Sequence, residues 1–136
     1  MAFITEQDSL MVHDINAIMN ELIDLKIGIF NGPYNHFHAK ERVPHLIEWC
    51  NGLIQTTRDV TLNEKEKGYA AGLIESSEGM KKLLSNFNNV LNETNLKTMM
   101  NNVLTNSRLH IKSIITSYNA LGGTQKRELE KRLKDL

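Results

Sequence analysis

The chain has 136 residues, of which 40% are hydrophobic and 24% are charged, and its 16 basic side chains are balanced by 16 acidic ones. This length predicts one compact domain over residues 1–136, and the composition excludes a disordered or low-complexity protein. A membrane-spanning helix is excluded because no apolar run reaches about 18 residues, and Cys50, the only cysteine, excludes an intrachain disulfide.

The first predicted helix covers about residues 8–30. Its apolar side chains recur at alternating steps of four and three residues, which places them on one side of a helix. They are Met11, Ile15, Ile18, Leu22, Leu25 and Ile29. The segment Asn31-Gly32-Pro33 is expected to end this helix, with a left-handed residue followed by a proline that cannot continue it.

The second predicted helix covers about residues 43–57, with an earlier start near His38 as the alternative, and residues 31–42 are interpreted as the connection that precedes it. Pro44 decides this start, since a proline has no amide donor and fits a helix best in the first turn. The helix has a buried side formed by Leu46, Cys50, Leu53 and Ile54.

The third predicted helix covers about residues 62–91 and starts at a capping box formed by Thr61 and Glu64. Small residues interrupt its apolar side at Gly68, Ala70, Ala71, Gly72 and Gly79. Because small residues let a neighbouring backbone come close, we expect a tight helix crossing near residue 70; a local kink is the alternative.

A fourth helix, capped by Thr94, is predicted over about residues 95–121, and a short fifth over about 125–135. The fifth helix has leucines on one face: Leu129, Leu133 and Leu136. It is too short to be stable alone, so it is expected to dock on the bundle or on another chain. Four helical stripes with short connections predict an all-α fold, an antiparallel four-helix bundle with a short fifth C-terminal helix.

The connection between the first two helices is a candidate small-molecule or nucleotide site. Aromatic and imidazole rings can stack on a ligand ring there, and the nearby cations can meet a phosphate. The predicted binding residues are Tyr34, His36, His38, Lys40 and Arg42. In the simpler interpretation, Tyr34 and Phe37 only close the end of the bundle.

No catalytic residue, cofactor or metal is predicted. His36, His38, His45 and Glu48 are donor types that zinc uses, but metal sites in bundles place a glutamate three residues before a histidine and repeat that motif. Cys50 is expected to face the core, where a thiol is inert. The sequence therefore predicts a protein that is not an enzyme, and it leaves open whether the histidine-rich segment binds a metal.

Charge is distributed unevenly along the chain. Residues 1–30 hold five acidic side chains against one basic one, whereas residues 97–136 hold eight basic side chains against three acidic ones. Solvated helix faces are the favoured interpretation of this asymmetry, and the alternative is that the two segments lie side by side within one chain or meet between chains.

The leading interpretation is a small helical protein that acts by binding protein, as an adaptor, inhibitor or regulatory factor, and that forms a homodimer. Its predicted interface residues, shared with the core, are Ile15, Ile18, Leu22, Leu129 and Leu133. The small-molecule or nucleotide binder is the alternative. A third interpretation is a nucleic-acid-associated factor using the basic C-terminal third, which the interleaved acidic residues and the lack of aromatics in the tail disfavour.

The first eight residues lack the basic start and the apolar run of a secretory signal, so a cytoplasmic location is predicted, with no membrane partner. Asparagine is frequent and occurs in pairs such as Asn88-Asn89. This usage is typical of AT-rich coding sequences and indicates a phage or a low-GC bacterium as the source.

Overall fold

The computed structural model describes residues 6–59, 64–118 and 123–136. Within these ranges the chain forms no strand and five helices: α1 (Glu6–Phe30), α2 (His36–Asp59), α3 (Glu64–Val90), α4 (Leu96–Ser117) and α5 (Gly123–Leu133). The predicted all-α fold is confirmed, with four long helices packed into a bundle and a short fifth helix against it. No helix in the described ranges is long and apolar enough to cross a membrane.

α1 and α2 run antiparallel along one side of the bundle. Towards the end of α1, Asp24 contacts Arg42 in the first half of α2. Towards the start of α1, Asp14 lies so close to α2 that a Cβ on Gly52 would stand 2.7 Å from its Oδ2. Residue numbers therefore rise along one helix as they fall along the other, as expected for helices joined by a short connection.

α3 and α4 pack together, and small residues of α3 face side chains of α4. A Cβ on Gly72 would lie 3.0 Å from Ser117 Oγ, and one on Gly79 would lie 2.7 Å from a ring carbon of His110. Side chains of α4 therefore lie close to the small residues of α3, and α3 is one continuous helix at this point; a tight crossing of the two backbones near residue 70 stays a prediction.

The core is apolar and receives side chains from all the helices. Its largest fully buried side chains are Phe87, Ile15, Ile18, Met19, Leu22, Leu25, Leu46, Leu53, Met80, Leu84, Met100 and Ile111. Together with the other buried residues of each long helix, they recur mostly at steps of three and four residues, so each of the four long helices turns one stripe inward.

α5 packs against α1 and α4. Leu129 and Leu136 are buried, and Leu133 is half-buried. The docking that the leucine face predicts is therefore made on the helix's own chain.

α2 begins at His36, seven residues before the start expected from Pro44. Asn35 caps the helix: its Oδ1 accepts a hydrogen bond from the His38 amide at 3.1 Å, while His38 Nδ1 accepts one from the Asn35 amide at 3.2 Å. This reciprocal pair is a capping box made with asparagine and histidine. Pro44 thus lies inside α2 and leaves the Lys40 carbonyl without its amide partner, but both residues are exposed and water can reach that carbonyl.

α1 ends at Phe30 without the expected left-handed residue, since no described residue has a positive φ. The Tyr34 amide instead donates to the carbonyl oxygen of Gly28 at 2.9 Å, which folds the chain back along α1. The turn after α1 is therefore made by a hydrogen bond between backbone groups six residues apart, and not by a residue in the left-handed conformation.

α4 starts after a turn held by two asparagines. Asn92 Oδ1 accepts hydrogen bonds from the amides of Thr94 and Asn95, each at 2.9 Å. Asn95, and not the predicted Thr94, is the N-cap residue, because these side-chain bonds continue the turn past Thr94.

α4 ends at Ser117, before the predicted end at residue 121, and Tyr118 is its C-cap, with its amide donating to the carbonyl oxygen of Ile115. The capping box at Thr61 lies outside the described residues.

Candidate functional site

Tyr34 packs its ring on α1 at a position that has no side chain. A Cβ on Gly28 would overlap three ring carbons of Tyr34, so the ring can lie there only because that residue is glycine. The Tyr34 hydroxyl donates to Asp24 Oδ2 at 3.0 Å, one turn earlier on α1. Ring and hydroxyl together fix the connection between α1 and α2 to the side of α1.

Arg42 completes this contact from α2. Its guanidinium donates to the Tyr34 hydroxyl at 2.8 Å and also contacts Asp24 Oδ2. Its Nε lies 3.3 Å from Glu21 Oε1 in an ion pair, and this buried oxygen has no hydrogen-bond partner among the described residues. One guanidinium therefore serves two carboxylates and a hydroxyl, and we name Glu21, Asp24, Tyr34 and Arg42 the α1–α2 clasp.

His38 lies beside the clasp and has a structural task of its own. Its ring stacks on Tyr34, with ring centres 5.5 Å apart and planes inclined by 21°. Its Nδ1 accepts the amide hydrogen of Asn35 in the capping box. The imidazole therefore holds the start of α2 against the aromatic ring that closes α1.

Three of the five predicted ligand residues come together at this junction. They are Tyr34, His38 and Arg42. His36 is not among them, since its ring contacts Phe37 with 4.1 Å between ring centres. Lys40 is exposed on α2.

The chemistry open to the α1–α2 clasp is limited by the contacts that Arg42 already makes. An anionic ligand would have to displace Glu21 and Asp24 from the guanidinium, and a charged hydrogen bond to a carboxylate is among the stronger contacts in proteins. The ligand site remains a prediction that these contacts do not favour.

Sequence reasoning missed the members of the junction that lie on α1. Glu21, Asp24 and Gly28 are spaced by three and four residues, which places them on one side of the helix. That spacing is visible in the sequence. The return of Tyr34 onto this side is not, because it depends on a turn whose backbone conformation no motif in residues 31–35 specifies.

The described ranges contain no group of three or more histidine, cysteine, aspartate or glutamate side chains arranged to hold a metal ion. His45 lies beside Trp49, with 6.5 Å between ring centres. Cys50 is fully buried, and burial raises the pKa of its thiol to about 12. The thiol is therefore protonated at neutral pH and is a poor nucleophile.

The predicted interface residues lie in the core of the chain. Ile15 and Ile18 are 1% exposed, Leu22 is fully buried, and Leu129 is 3% exposed. Leu133 is half-buried. Little of their surface is open to a partner while α5 is docked, so their role in an interface remains a prediction.

The polar contacts that hold α5 use main-chain oxygens. Lys26 Nζ of α1 donates to the carbonyl oxygen of Asp135 at 3.1 Å, and Arg108 Nε of α4 donates to that of Leu136 at 2.8 Å. The acidic first helix and the basic tail thus lie side by side within the chain. No ion pair joins α1 to α5 in the described residues, whose ion pairs all lie among α1, α2 and α3.

A cleft of about 370 Å³ remains between α1 and α5. It is lined by Val12, Asn16, Gln125, Glu128, Leu129, Lys131, Arg132 and Asp135. Arg132 reaches across it to contact Asn20 Oδ1. α5 is therefore packed through its leucines and is open along its polar side.

Comparison with known proteins gives no relative for this chain: no family model, no curated protein and no solved structure matches it. What the protein does has to be argued from its own residues.

Proposed function

We propose that this protein acts by binding protein, as an adaptor, inhibitor or regulatory factor, through the seam between α1 and α4 on which α5 docks. The observation that carries the proposal is α5 itself, a short helix seated on α1 and α4 through Leu129 and Leu136. An amphipathic helix lying in an apolar groove is a common mode of protein recognition. A partner's helix with the same leucine spacing fits the seam when α5 leaves it.

The features of α5 favour such an exchange. It has 11 residues, a length at which a helix depends on docking for its stability. Most of its charged side chains are exposed, and the cleft of about 370 Å³ separates its polar side from α1. Segments with few buried contacts open most easily from a folded protein.

A second copy of the chain offers the same leucine-faced helix as α5. Exchange of α5 between two copies produces a homodimer by domain swapping, which repeats contacts already present within the monomer. A cytoplasmic location belongs to the same proposal and is supported by Cys50, a free and buried cysteine that suits a reducing compartment.

The ligand-binding alternative has less support. Arg42, the cation that would meet a phosphate, is shared between Glu21 and Asp24. α5 occupies a groove that another helix can fill, whereas the charged groups of the clasp are already paired with one another.

The proposal is tested with a fluorescent peptide of residues 123–136 added to the full chain. Leu129→Asp places a charge on the buried face of α5 and frees the seam. We expect this variant to bind the peptide at least about tenfold more tightly than the unchanged chain, where the tethered α5 competes at high effective concentration. Fluorescence anisotropy measures both affinities.

Thr124→Asp is the matched control, since it adds the same charge at an exposed position of α5 and should leave peptide binding as weak as in the unchanged chain. A Leu129→Asp chain that stays folded and ignores the peptide would contradict the proposal. Native mass spectrometry of the unchanged protein reads its subunit count, and a retained small molecule or metal would turn attention to the α1–α2 junction.

A further inference from the structure

The outer face of α2 is acidic. Five exposed residues at offsets of 4, 7, 7 and 4 lie on one side of the helix and include three carboxylates. They are Phe37, Glu41, Glu48, Gln55 and Asp59. The exposed basic residues Lys40 and Arg58 border this side, and Arg58 pairs with Glu78 of α3. Phe37 is 65% exposed, an unusual state for a phenylalanine and the apolar point of this face.

The outer face of α4 has the opposite charge. α4 carries three lysine or arginine residues and no acidic residue in its 22 positions. Lys97, Asn101, Arg108 and Lys112 follow at offsets of 4, 7 and 4, so they share one side, and all four are exposed. Arg108 also donates to the carbonyl oxygen of Leu136, so Lys97 and Lys112 are the freely exposed cations of this side. Leu109, next to this side, is 65% exposed. None of the ion pairs in the described residues uses a side chain of α4.

These two faces lie at opposite corners of the bundle. α2 packs against α1 and α3, whereas α4 packs against α3, α1 and α5. The outer side of α2 therefore points away from the outer side of α4. One molecule cannot bring its own two faces together, but two molecules can.

We infer that copies of this chain associate head to tail, with the acidic α2 face of one copy on the basic α4 face of the next. The charged stripes match in length: Glu41 to Asp59 spans about 27 Å of helix and Lys97 to Lys112 about 23 Å. Each face also brings one exposed apolar side chain, Phe37 or Leu109, to the contact. A formal net charge of zero removes the overall repulsion that would oppose association.

A contact between two different faces does not close on itself. Each added copy leaves one acidic and one basic face free, so the product is a ring or a filament and not a symmetric dimer. The assembly goes beyond the proposed function because its contact lies on the outer sides of α2 and α4; of the residues that form it, Arg108 borders the α1–α4 seam, where it donates to the carbonyl oxygen of Leu136. Its test is also separate, since exchange of α5 rests on leucines and is insensitive to salt, whereas this contact rests on exposed charges that salt screens.

The test is sedimentation velocity of the full chain over a series of protein concentrations, in low salt and in about 1 M salt, where the Debye length is about 3 Å. We expect species larger than a dimer in low salt and their loss in high salt. Glu41→Lys/Glu48→Lys and Lys97→Glu/Lys112→Glu should each weaken association at least tenfold. An equimolar mixture of the two variants should form a 1:1 heterodimer, since the unchanged acidic α2 face of the second variant fits the unchanged basic α4 face of the first.

The control for net charge is Glu75→Lys/Glu130→Lys, which makes the same change of charge at exposed residues of α3 and α5 and should assemble like the unchanged chain. Phe37→Ser and Leu109→Ser remove the apolar points without changing charge and should each weaken association severalfold. Circular dichroism checks that every variant is folded.

Three outcomes would overturn the inference. In the first, the unchanged chain sediments as a monomer or a dimer at every concentration in low salt. In the second, the mixture of complementary variants stays dissociated. In the third, the chain does not self-associate but its α4 face binds a short DNA duplex, which would make nucleic acid the occupant. None of these outcomes affects the peptide experiment on α5.

Discussion

The α1–α2 junction and the α4–α5 end of the molecule are both rich in polar residues, but they use them differently. At the junction, Arg42 is shared by Glu21, Asp24 and the Tyr34 hydroxyl, and the ring of Tyr34 fills the space above Gly28.

At the other end, the basic residues of α4 and α5 form no ion pair in the described part of the chain. Arg108 and Arg132 donate to the oxygens of Leu136 and Asn20, whereas Lys97 and Lys112 are exposed.

The paired groups of the α1–α2 junction hold the fold, whereas the exposed basic residues of α4 and α5 are open to a partner. A charge that is already paired and partly buried is expensive to redirect, because the group left behind loses its only compensation. An exposed charge can meet a partner at little cost. A partner is therefore expected at α5 and at the outer faces of α2 and α4, and not at the junction between α1 and α2.

The largest effect is expected from Leu22→Ala, compared with Leu129→Ala. Leu22 lies in the closed core, where this change costs about 2 to 5 kcal/mol of unfolding free energy. Leu129 lies under α5, which can undock, so the loss is limited to the free energy of docking and should be about 1 to 2 kcal/mol. Urea unfolding measures both values.

Hydrogen exchange adds the location of each change. Leu22→Ala should speed exchange in the core amides of all four long helices, and Leu129→Ala should speed it mainly in α5. Equal losses of stability and equal patterns of exchange would mean that α5 unfolds together with the bundle, and the distinction between the two regions would fail.

Gly28→Ala should destabilise the protein by about 2 kcal/mol, because the added methyl group overlaps the ring of Tyr34 and forces it off α1. The control is the same change in a Tyr34→Ala background. There the alanine has room and, as a better helix former than glycine, should be neutral or slightly stabilising. A cost that persists without the ring would show that something other than Tyr34 requires glycine at this position.

Asn35→Ala should cost about 1 kcal/mol, the usual value of a lost N-cap. The His38 amide loses its acceptor and should exchange faster, whereas amides in the second half of α2 should not change. Thr56→Ala, inside the same helix and clear of its N-cap, serves as the comparison. If the His38 amide keeps its protection in Asn35→Ala, the capping box does not hold the start of α2.

The helices could be predicted from the sequence because they rest on repeated evidence. Each buried stripe, such as the one from Met11 to Ile29, contains many apolar residues at helical spacing, and one misleading residue does not hide the pattern. Helix ends rest on one or two side chains. Pro44 favoured a late start for α2, while the signal that decided the start was Asn35 with His38 in the place that glutamate usually takes.

The candidate site was less predictable because it depends on which groups meet. Tyr34, His38 and Arg42 were identified as residues with binding chemistry, and the structure brings them together. Their neighbours Glu21 and Asp24 are on another helix, and nothing in residues 31–42 shows that they take up the guanidinium. The sequence shows which side chains can bind a ligand. Which groups already pair with those side chains depends on the fold.

The smallest effect, with the opposite sign, is expected from Asp14→Asn. Burial against α2 raises the pKa of the Asp14 carboxyl above its ordinary value of 3.8, and nearby His13 lowers it by a smaller amount. The folded state therefore binds the proton more tightly than the unfolded state. The protonated carboxyl favours folding at low pH, and this contribution is lost as the pH rises through the raised pKa.

At neutral pH the charged Asp14 thus opposes folding, and the neutral amide should stabilise the protein by less than about 1 kcal/mol, since the side chain is partly exposed to screening solvent. The gain should vanish below pH 3.8, where the carboxyl is protonated in both states. Asp24→Asn makes the same chemical change at a carboxylate that accepts from Tyr34 and Arg42, and it should destabilise by about 1 kcal/mol. Urea unfolding of both variants across pH reads the two signs. If both variants change the free energy of unfolding in the same direction, the hydrogen-bond partners of an aspartate on α1 do not decide whether its charge stabilises the fold.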